Sequence, residues 1–94
     1  MDASRQIARE FGLNIVRCRK LANLSQEELG FRASLHRTEI GQLEGGTRLA
    51  RIDTVIKLAG ALSVPTGDLL KGMAWAPGRQ QLGCFKVRVE EEAS

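Results

Sequence analysis

The sequence predicts an all-α fold of five helices, followed by a short C-terminal β-strand. Through most of the chain, apolar residues recur every three or four positions, the spacing of amphipathic helices. Residues 25–46 divide into two short helices joined by a tight turn, and near the C-terminus the spacing changes to the alternation of a strand. We therefore expect a helical domain at 1–72 with its motif at 25–46. Residues 73–94 would form a linker and strand with a frayed acidic end.

The first helix is predicted over residues 4–22, with Asp2 or Ser4 as its cap. Asn23 can end it, because asparagine tolerates the left-handed backbone conformation. The helix carries one apolar stripe, made of Ile7, Phe11, Ile15, Cys18 and Ala22.

The second and third helices are predicted at Gln26–Ala33 and His36–Glu44. Ser25 and Glu28 have the spacing of a reciprocal N-terminal capping box. In the third helix the apolar residues face inward, and this leaves a polar outer face of Arg37, Thr38, Glu39 and Gln42. Two helices joined in this way suit the major groove of DNA, which is wide enough for one helix.

A fourth helix is predicted over residues 52–62 and a short fifth helix over residues 66–71. The fifth would contribute Leu69 and Leu70 as a last helical turn. The fourth would bury Val55, Ile56, Leu58, Ala59 and Leu62.

The tail begins with a connector rich in glycine, around Pro77, and continues as a strand at 84–89. Phe85, Val87 and Val89 alternate onto one apolar face that a single strand cannot bury alone. The strand could fold back on its own domain, pair with a second subunit or dock on a different protein. Pairing between two subunits is the favoured interpretation, since symmetric dimers are the commonest oligomers.

Composition favours a single soluble domain with a basic body. The chain of 94 residues has a formal charge of +3. Removing Glu90, Glu91 and Glu92 leaves 14 basic and 8 acidic groups (11 minus 3) in residues 1–89, a charge of +6. A basic excess attracts any polyanion and is weak evidence for nucleic acid by itself. Without a signal peptide or membrane span, we expect a cytoplasmic, nucleoid-associated protein.

The sequence offers no set of residues for a metal, a cofactor or catalysis. Cys18, Cys84 and the single histidine, His36, do not supply a structural zinc site, so buried or half-buried free thiols are expected. Gly45-Gly46 lacks the lysine and spacing of a phosphate-binding loop, and no nucleophile–base pair is present. We therefore argue against an enzyme.

The outer face of the third helix has the chemistry to recognise bases. Arg37 can fork onto a guanine, and the amide of Gln42 can pair with an adenine edge. Thr38 can meet a thymine methyl group or a sugar. Glu39 is repelled by phosphates, so it is expected either to accept from a cytosine amine or to form an ion pair with Arg37.

Two residues at the helix starts have less specific expected roles. His36 is interpreted as a helix cap or a neighbour of a phosphate. Gln26 would contact a phosphate or brace Arg37.

The motif resembles the helix-turn-helix of the lambda-repressor/Cro-like (XRE) family. The similarity runs from about Phe11 to Gly72, with RCRKLANLSQEEL before the motif and IDTVIKLAGALSVPTGDLL after it. It departs at Gly30, where the family usually has a small alanine-like residue, and at Ser34, where it has glycine. Ser34 would then need a positive φ.

The resemblance implies roles for several residues and a lambda-repressor-like fold. Arg37, Thr38 and Gln42 match positions that face bases. Arg19 and Glu44 match a structural ion pair that ties the first helix to the recognition helix. The loop that clamps the DNA backbone would contain Thr47, Arg48 and Arg51.

The leading functional hypothesis is a bacterial transcription regulator, favoured as a repressor, that binds a palindromic operator in double-stranded DNA as a homodimer. The alternative is the antitoxin of a toxin–antitoxin pair, with the C-terminal strand binding the toxin. A restriction–modification controller is a third, less favoured hypothesis, because those proteins usually stop near the last helix.

Overall fold

The computed structural model describes residues 3–90. Five helices surround one core: α1 (Ala3–Leu21), α2 (Gln26–Ala33), α3 (Arg37–Glu44), α4 (Ile52–Leu62) and α5 (Thr66–Leu69). All five lie within two residues of their predicted bounds. The expected cap at Asp2 and the frayed end at 91–94 fall outside the described residues.

The core is built from one face of each helix. The largest fully buried side chains are Ile15, Leu29, Ile40, Leu43, Leu58 and Leu69. Both helices of the motif contribute to this set, so their relative orientation is held by the same apolar contacts that stabilise the domain.

A buried polar residue joins the first helix to the last. The Asn14 side-chain amide donates to the carbonyl oxygens of Leu69, at 2.9 Å, and Lys71, at 3.0 Å. Arg17 donates to the Asn14 side-chain oxygen at 2.7 Å. These bonds satisfy carbonyls that α5 leaves open at its C-terminal end, so Asn14 closes the helical body.

Three apolar positions differ from the prediction. Ile56 is 59% exposed, because residues 58, 59 and 62 define the inner face of α4 and position 56 lies away from it. Ala22 and Leu70 follow the ends of α1 and α5 and are also exposed.

The C-terminal strand pairs within its own chain. Strand β1 (Ala74–Ala76) runs antiparallel to β2 (Cys84–Lys86), with Trp75 opposite Phe85. The two rings meet edge to face with centroids 5.0 Å apart. The interpretation of residues 74–76 as connector is therefore wrong, and of the three alternatives for the strand, pairing within its own chain is observed.

The strand is also shorter than its alternating pattern predicts. Arg88 has φ 60°, which breaks the extended backbone, and Val89 N donates to Gly72 O at 2.9 Å. Arg88 lies 3.5 Å from the Glu10 carboxylate on α1. The hairpin is thus attached to α1 through residues that follow β2.

Both cysteines are free thiols, as expected, but only Cys18 is buried. Cys84 is exposed, contrary to the prediction, because a two-stranded sheet covers few of its own side chains. Within residues 3–90, no helix is long and apolar enough to cross a bilayer.

Candidate nucleic-acid interface

Helix α2 begins at the capping box that the sequence predicts. Ser25 Oγ accepts from the Glu28 amide at 3.0 Å, and a Glu28 carboxylate oxygen accepts from the Ser25 amide at 3.0 Å. Hydrogen bonds to Ser25 hold the pKa of Glu28 below its ordinary value. The bond to the Ser25 backbone has the larger effect and the bond to its side chain the smaller one. The box satisfies two amides at the helix start and fixes where the motif begins.

The turn between α2 and α3 is close-packed. Ser34 takes the left-handed conformation, with φ 56° and ψ 42°. A Cβ at Gly30 would lie 2.7 Å from the carbonyl oxygen of Leu35, which is closer than real Cβ contacts allow. Gly30 is therefore needed for the distance between the two helices, and Ser34 accepts an uncommon φ to complete the turn.

His36 is the N-cap of α3. Its Nδ1 accepts from the Thr38 amide at 3.1 Å, and the imidazole is exposed. Its cap role leaves Nε2 facing away from the helix and available to a partner.

The outer face of α3 is exposed while its inner face is buried. Ile40 and Leu43 are 0% and 1% exposed. Arg37, Thr38 and Gln42 lie on the solvent side. The three candidate base-contacting residues therefore share one open helix surface.

Gly41 lies on the same outer face, between the positions of these side chains. A Cβ built there would meet no atom within 4 Å. No contact inside the chain requires glycine at this position, although glycine weakens a helix interior by about 1 kcal/mol relative to alanine. Residue types in the motif did not point to this position, because glycine carries no side chain that recognises a base.

Arg48, in the loop after α3, lies against two residues of this face. Its Nη1 donates to Gln42 Oε1 at 3.2 Å and lies 3.8 Å from the Glu39 carboxylate. The structure thus places Glu39 beside Arg48 and not beside the expected Arg37. The reason is geometric, because the loop turns back along the helix and brings Arg48 beside both Gln42 and Glu39.

Arg19 and Glu44 form a two-point ion pair at the base of the motif. Arg19 Nε donates to Glu44 Oε2 at 2.6 Å and Nη2 donates to Oε1 at 3.0 Å. The side chains are only 14% and 6% exposed. The hydrogen bond to Glu44 raises the pKa of Arg19, so its guanidinium stays charged in the folded protein.

Gln26 joins the same cluster. Its Nε2 donates to Glu44 Oε1 at 3.0 Å and its side chain is half-buried. The expected bracing of Arg37 is therefore replaced by bracing of Glu44, because the start of α2 lies over the end of α3. A phosphate contact by Gln26 stays a prediction.

Gly12 is a further residue whose role was not predicted from the sequence. A Cβ there would lie 2.4 Å from the carbonyl oxygen of Leu43 and 2.5 Å from that of Glu44. Helix α1 therefore crosses the end of α3 at backbone contact distance. A glycine inside an otherwise regular apolar pattern was the available signal for this close approach.

The loop after α3 holds the other expected backbone contacts. Thr47 Oγ1 donates to Gln42 O at 3.2 Å, which ties the loop to the helix end. Arg51 is exposed and lies 3.3 Å from Asp53. Thr47, Arg48 and Arg51 thus follow the recognition helix on one short segment, as the resemblance implies.

The motif offers hydrogen-bond donors and a loop that carries arginines. In the part of the chain that the structure describes, no three His, Cys, Asp or Glu residues are grouped to hold a metal ion. The arrangement presents the guanidinium of Arg37 and the amide of Gln42 on one helix face, where they can hydrogen-bond to the edge of a base. Arginines of the following loop flank this face.

Comparison with known proteins gives consistent relatives. Residues 15–69 match the model of the helix-turn-helix family. The control protein C.BamHI of Bacillus amyloliquefaciens is 47% identical over 49 residues, which span 52% of this chain and 60% of that protein. The control protein C.SmaI of Serratia marcescens is 42% identical over 57 residues, spanning 61% of this chain and 68% of its own length.

A solved structure shows the same fold. The restriction–modification controller protein C.AhdI from Aeromonas hydrophila is similar with a TM-score of 0.65 and 34% identity. The similarity covers 66% of this chain and 94% of C.AhdI. About a third of this chain therefore lies beyond the part that the two structures share.

Proposed function

This chain belongs to the helix-turn-helix family, and on that basis we propose that it is a sequence-specific DNA-binding transcription regulator. The observation that carries the proposal is the outer face of α3, where Arg37, Thr38 and Gln42 stand exposed above a buried apolar inner face. A major groove about 12 Å wide admits one such helix. The proposal includes no catalytic step.

We assign base recognition to three residues of this face. Arg37 would fork onto the O6 and N7 of a guanine, and Gln42 would pair with the N6 and N7 of an adenine. Thr38 would contact a thymine methyl group. Glu39, beside Arg48 in the free protein, would discriminate by accepting from a cytosine amine or by repelling other bases.

We assign backbone contacts to both ends of the motif. Gln26 and His36 lie at the starts of α2 and α3, where exposed amides and polar side chains suit a phosphate. Thr47, Arg48 and Arg51 lie at the other end. Contacts at both ends would fix the depth and tilt of α3 in the groove.

We propose a homodimer on two half-sites about 34 Å apart, since one motif recognises only half of a palindrome. An apolar stripe at the start of α4 suits a two-fold contact. Leu49, Ile52 and Ile56 are 51%, 81% and 59% exposed, at helical spacing. The apolar residues Phe85, Val87 and Val89, in β2 and the segment after it, form the second candidate surface, although Phe85 already packs on Trp75.

The named relatives favour one kind of regulator. Two are control proteins and one is a restriction–modification controller. We therefore infer that this chain controls transcription of restriction–modification genes in a bacterial cytoplasm, acting as a repressor. The antitoxin hypothesis, with a toxin bound at the C-terminal strand, is less favoured than the controller hypothesis.

Selection of bound duplexes from a random library tests this function. We expect enrichment of one palindromic sequence with two half-sites, and weaker, salt-sensitive binding to scrambled duplexes. Repeating the selection with Gln42→Ala should relax one position in each half-site. Failure to enrich any sequence with the unmodified chain would contradict specific DNA binding.

A further inference from the structure

We propose that a cleft beside the recognition helix binds a DNA backbone phosphate beyond the base pairs that α3 contacts. The cleft has a volume of about 450 Å³ and lies between the first turns of α1 and residues 45–49. Its α1 wall, residues 4–9, precedes the segment that matches the family model. The inference rests on the proposed DNA binding and extends the contacted surface along the duplex.

Backbone packing fixes the geometry of this cleft. Gly46 has φ 71°, and a Cβ built there would lie 2.8 Å from both Cα and Cγ of Arg9. The loop therefore touches α1 at backbone distance, and only glycine permits this approach. The two walls keep one relative position, as a preorganised binding site requires.

The charges that line the cleft have one sign. Arg5 and Arg9 extend from α1 and Arg48 from the loop, with the hydroxyl groups of Ser4 and Thr47 nearby. Among its lining residues in the described chain there is no carboxylate. Guanidinium groups are the donors that a phosphate diester binds most strongly.

The nearest carboxylates of the motif do not cancel these charges. Glu44 is held by Arg19 at 2.6 Å. Glu39 lies 3.8 Å from Arg48 in a solvent-accessible position, where an ion pair gives little net attraction. Neither of these two carboxylates lines the cleft.

Arg48 makes the cleft continuous with the recognition surface. It lines the cleft while its Nη1 donates to Oε1 of Gln42, 3.2 Å away, on the outer face of α3. If a base of the DNA contacts Gln42, the neighbouring phosphates of the same strand lie near Arg48 and then near Arg5 and Arg9. The ligand that fits this path is the backbone of the same duplex.

The test compares Arg5→Gln/Arg9→Gln with the unmodified chain on two duplexes. One duplex ends at the selected half-sites, and the other extends about five base pairs, half a helical turn, on each side. We expect the variant to bind the extended duplex more weakly, with a salt slope smaller by about 0.9 for each phosphate that it no longer neutralises. On the trimmed duplex, the variant and the unmodified chain should differ little.

Two controls separate this site from general charge and from folding. Arg79→Gln removes a positive charge from the exposed segment between β1 and β2 and should leave the salt slope nearly unchanged. Arg9→Lys keeps the charge and the aliphatic stem that packs on Gly46, and together with native Arg5 it should restore the slope. Thermal unfolding of each variant shows that the domain is intact.

The outcomes distinguish the two proposals. An unchanged slope for Arg5→Gln/Arg9→Gln, while the unmodified chain binds its operator, would overturn the phosphate cleft alone. Equal losses of affinity on the trimmed and extended duplexes would also overturn it. If the unmodified chain binds neither duplex above scrambled DNA, the proposed function itself fails.

Discussion

The guanidinium of Arg19 holds the carboxylate of Glu44 through two hydrogen bonds, of 2.6 and 3.0 Å, where α1 meets the end of the recognition helix. Arg19 also donates to the Leu24 carbonyl at 3.0 Å, and Gln26 donates to Glu44 at 3.0 Å. One carboxylate is therefore shared by α1, α2 and α3. The position of the outer face of α3, which we propose contacts bases, depends on this cluster.

Removing one member of this pair should destabilise the domain. We expect Arg19→Ala to lower the free energy of unfolding by about 3–5 kcal/mol, because it leaves the Glu44 carboxylate buried without its partner. Urea denaturation measures the change. Arg51→Ala, which breaks an exposed pair with Asp53, should cost no more than about 1 kcal/mol. Equal costs for the two variants would show that burial does not matter here.

The capping box should make stability depend on pH on the acid side. Because folding lowers the Glu28 pKa, its contribution is present above the unfolded pKa of about 4.3 and is lost as pH falls through the lower folded pKa. We expect Glu28→Gln to be less stable than the unmodified chain at pH 7, with the gap closing below pH ~4. Denaturation series from pH 7 to 3 measure it, and a gap that widens in acid would contradict the box.

Gly41→Ala should separate stability from binding. We expect it to stabilise the free protein by up to about 1 kcal/mol, because the helix gains a better former and the new methyl meets nothing. Operator affinity should fall, because that methyl lies on the face that we propose enters the groove. Gly12→Ala is the matched control: its Cβ would lie 2.4 Å from Leu43 O, so it should destabilise the domain. Unchanged operator affinity for Gly41→Ala would indicate that the DNA does not closely approach the helix at this position.

The contact between Gln42 and Arg48 should appear as coupling in operator binding. Gln42→Ala is expected to cost about 1–3 kcal/mol and to relax one base pair. Arg48→Ala should weaken binding to all sequences and reduce the salt slope by about one. Because the side chains are 3.2 Å apart, the double variant should lose less binding free energy than the sum of the single variants. Strict additivity, measured by titration at fixed salt, would show that Arg48 does not orient Gln42.

Two variants decide which surface forms the proposed dimer. Ile56→Glu places a charge on the exposed apolar stripe of α4 and should yield a monomer in sedimentation. Deletion of residues 80–94 removes β2 and should leave the dimer intact if α4 forms the contact. The opposite pair of results would assign dimerisation to the apolar residues Phe85, Val87 and Val89.

The helical part of the fold was predictable because its signals are local. Ser25 and Glu28 mark the start of α2 four residues after the end of α1, and the predicted bounds of α2 match those observed. Capping boxes and apolar periodicity depend on near neighbours in sequence, so a single chain contains them in full.

What escaped prediction depends on contacts between distant residues. Residues 74–76 form a strand by pairing with residues 84–86, where Trp75 lies opposite Phe85. The segment has only three residues before a proline, and its own sequence does not indicate that partner. The role of Gly12 likewise depends on carbonyl groups some thirty positions away. In the candidate site, the residue types were sufficient to predict the polar outer face of α3. The pairing of Arg48 with Glu39 was not predicted, because it depends on the path of the loop after α3.

The edge-to-face contact in the hairpin also involves the residue responsible for the intrinsic tryptophan fluorescence of this molecule. Trp75 is the single tryptophan and the chain has no tyrosine, so intrinsic tryptophan fluorescence originates only from the hairpin. The far-ultraviolet circular dichroism signal originates mainly from the helices. Transitions monitored by the two methods coincide only if hairpin and helices unfold as one unit. A fluorescence change that precedes the loss of ellipticity would therefore record detachment of the hairpin from an intact DNA-binding body.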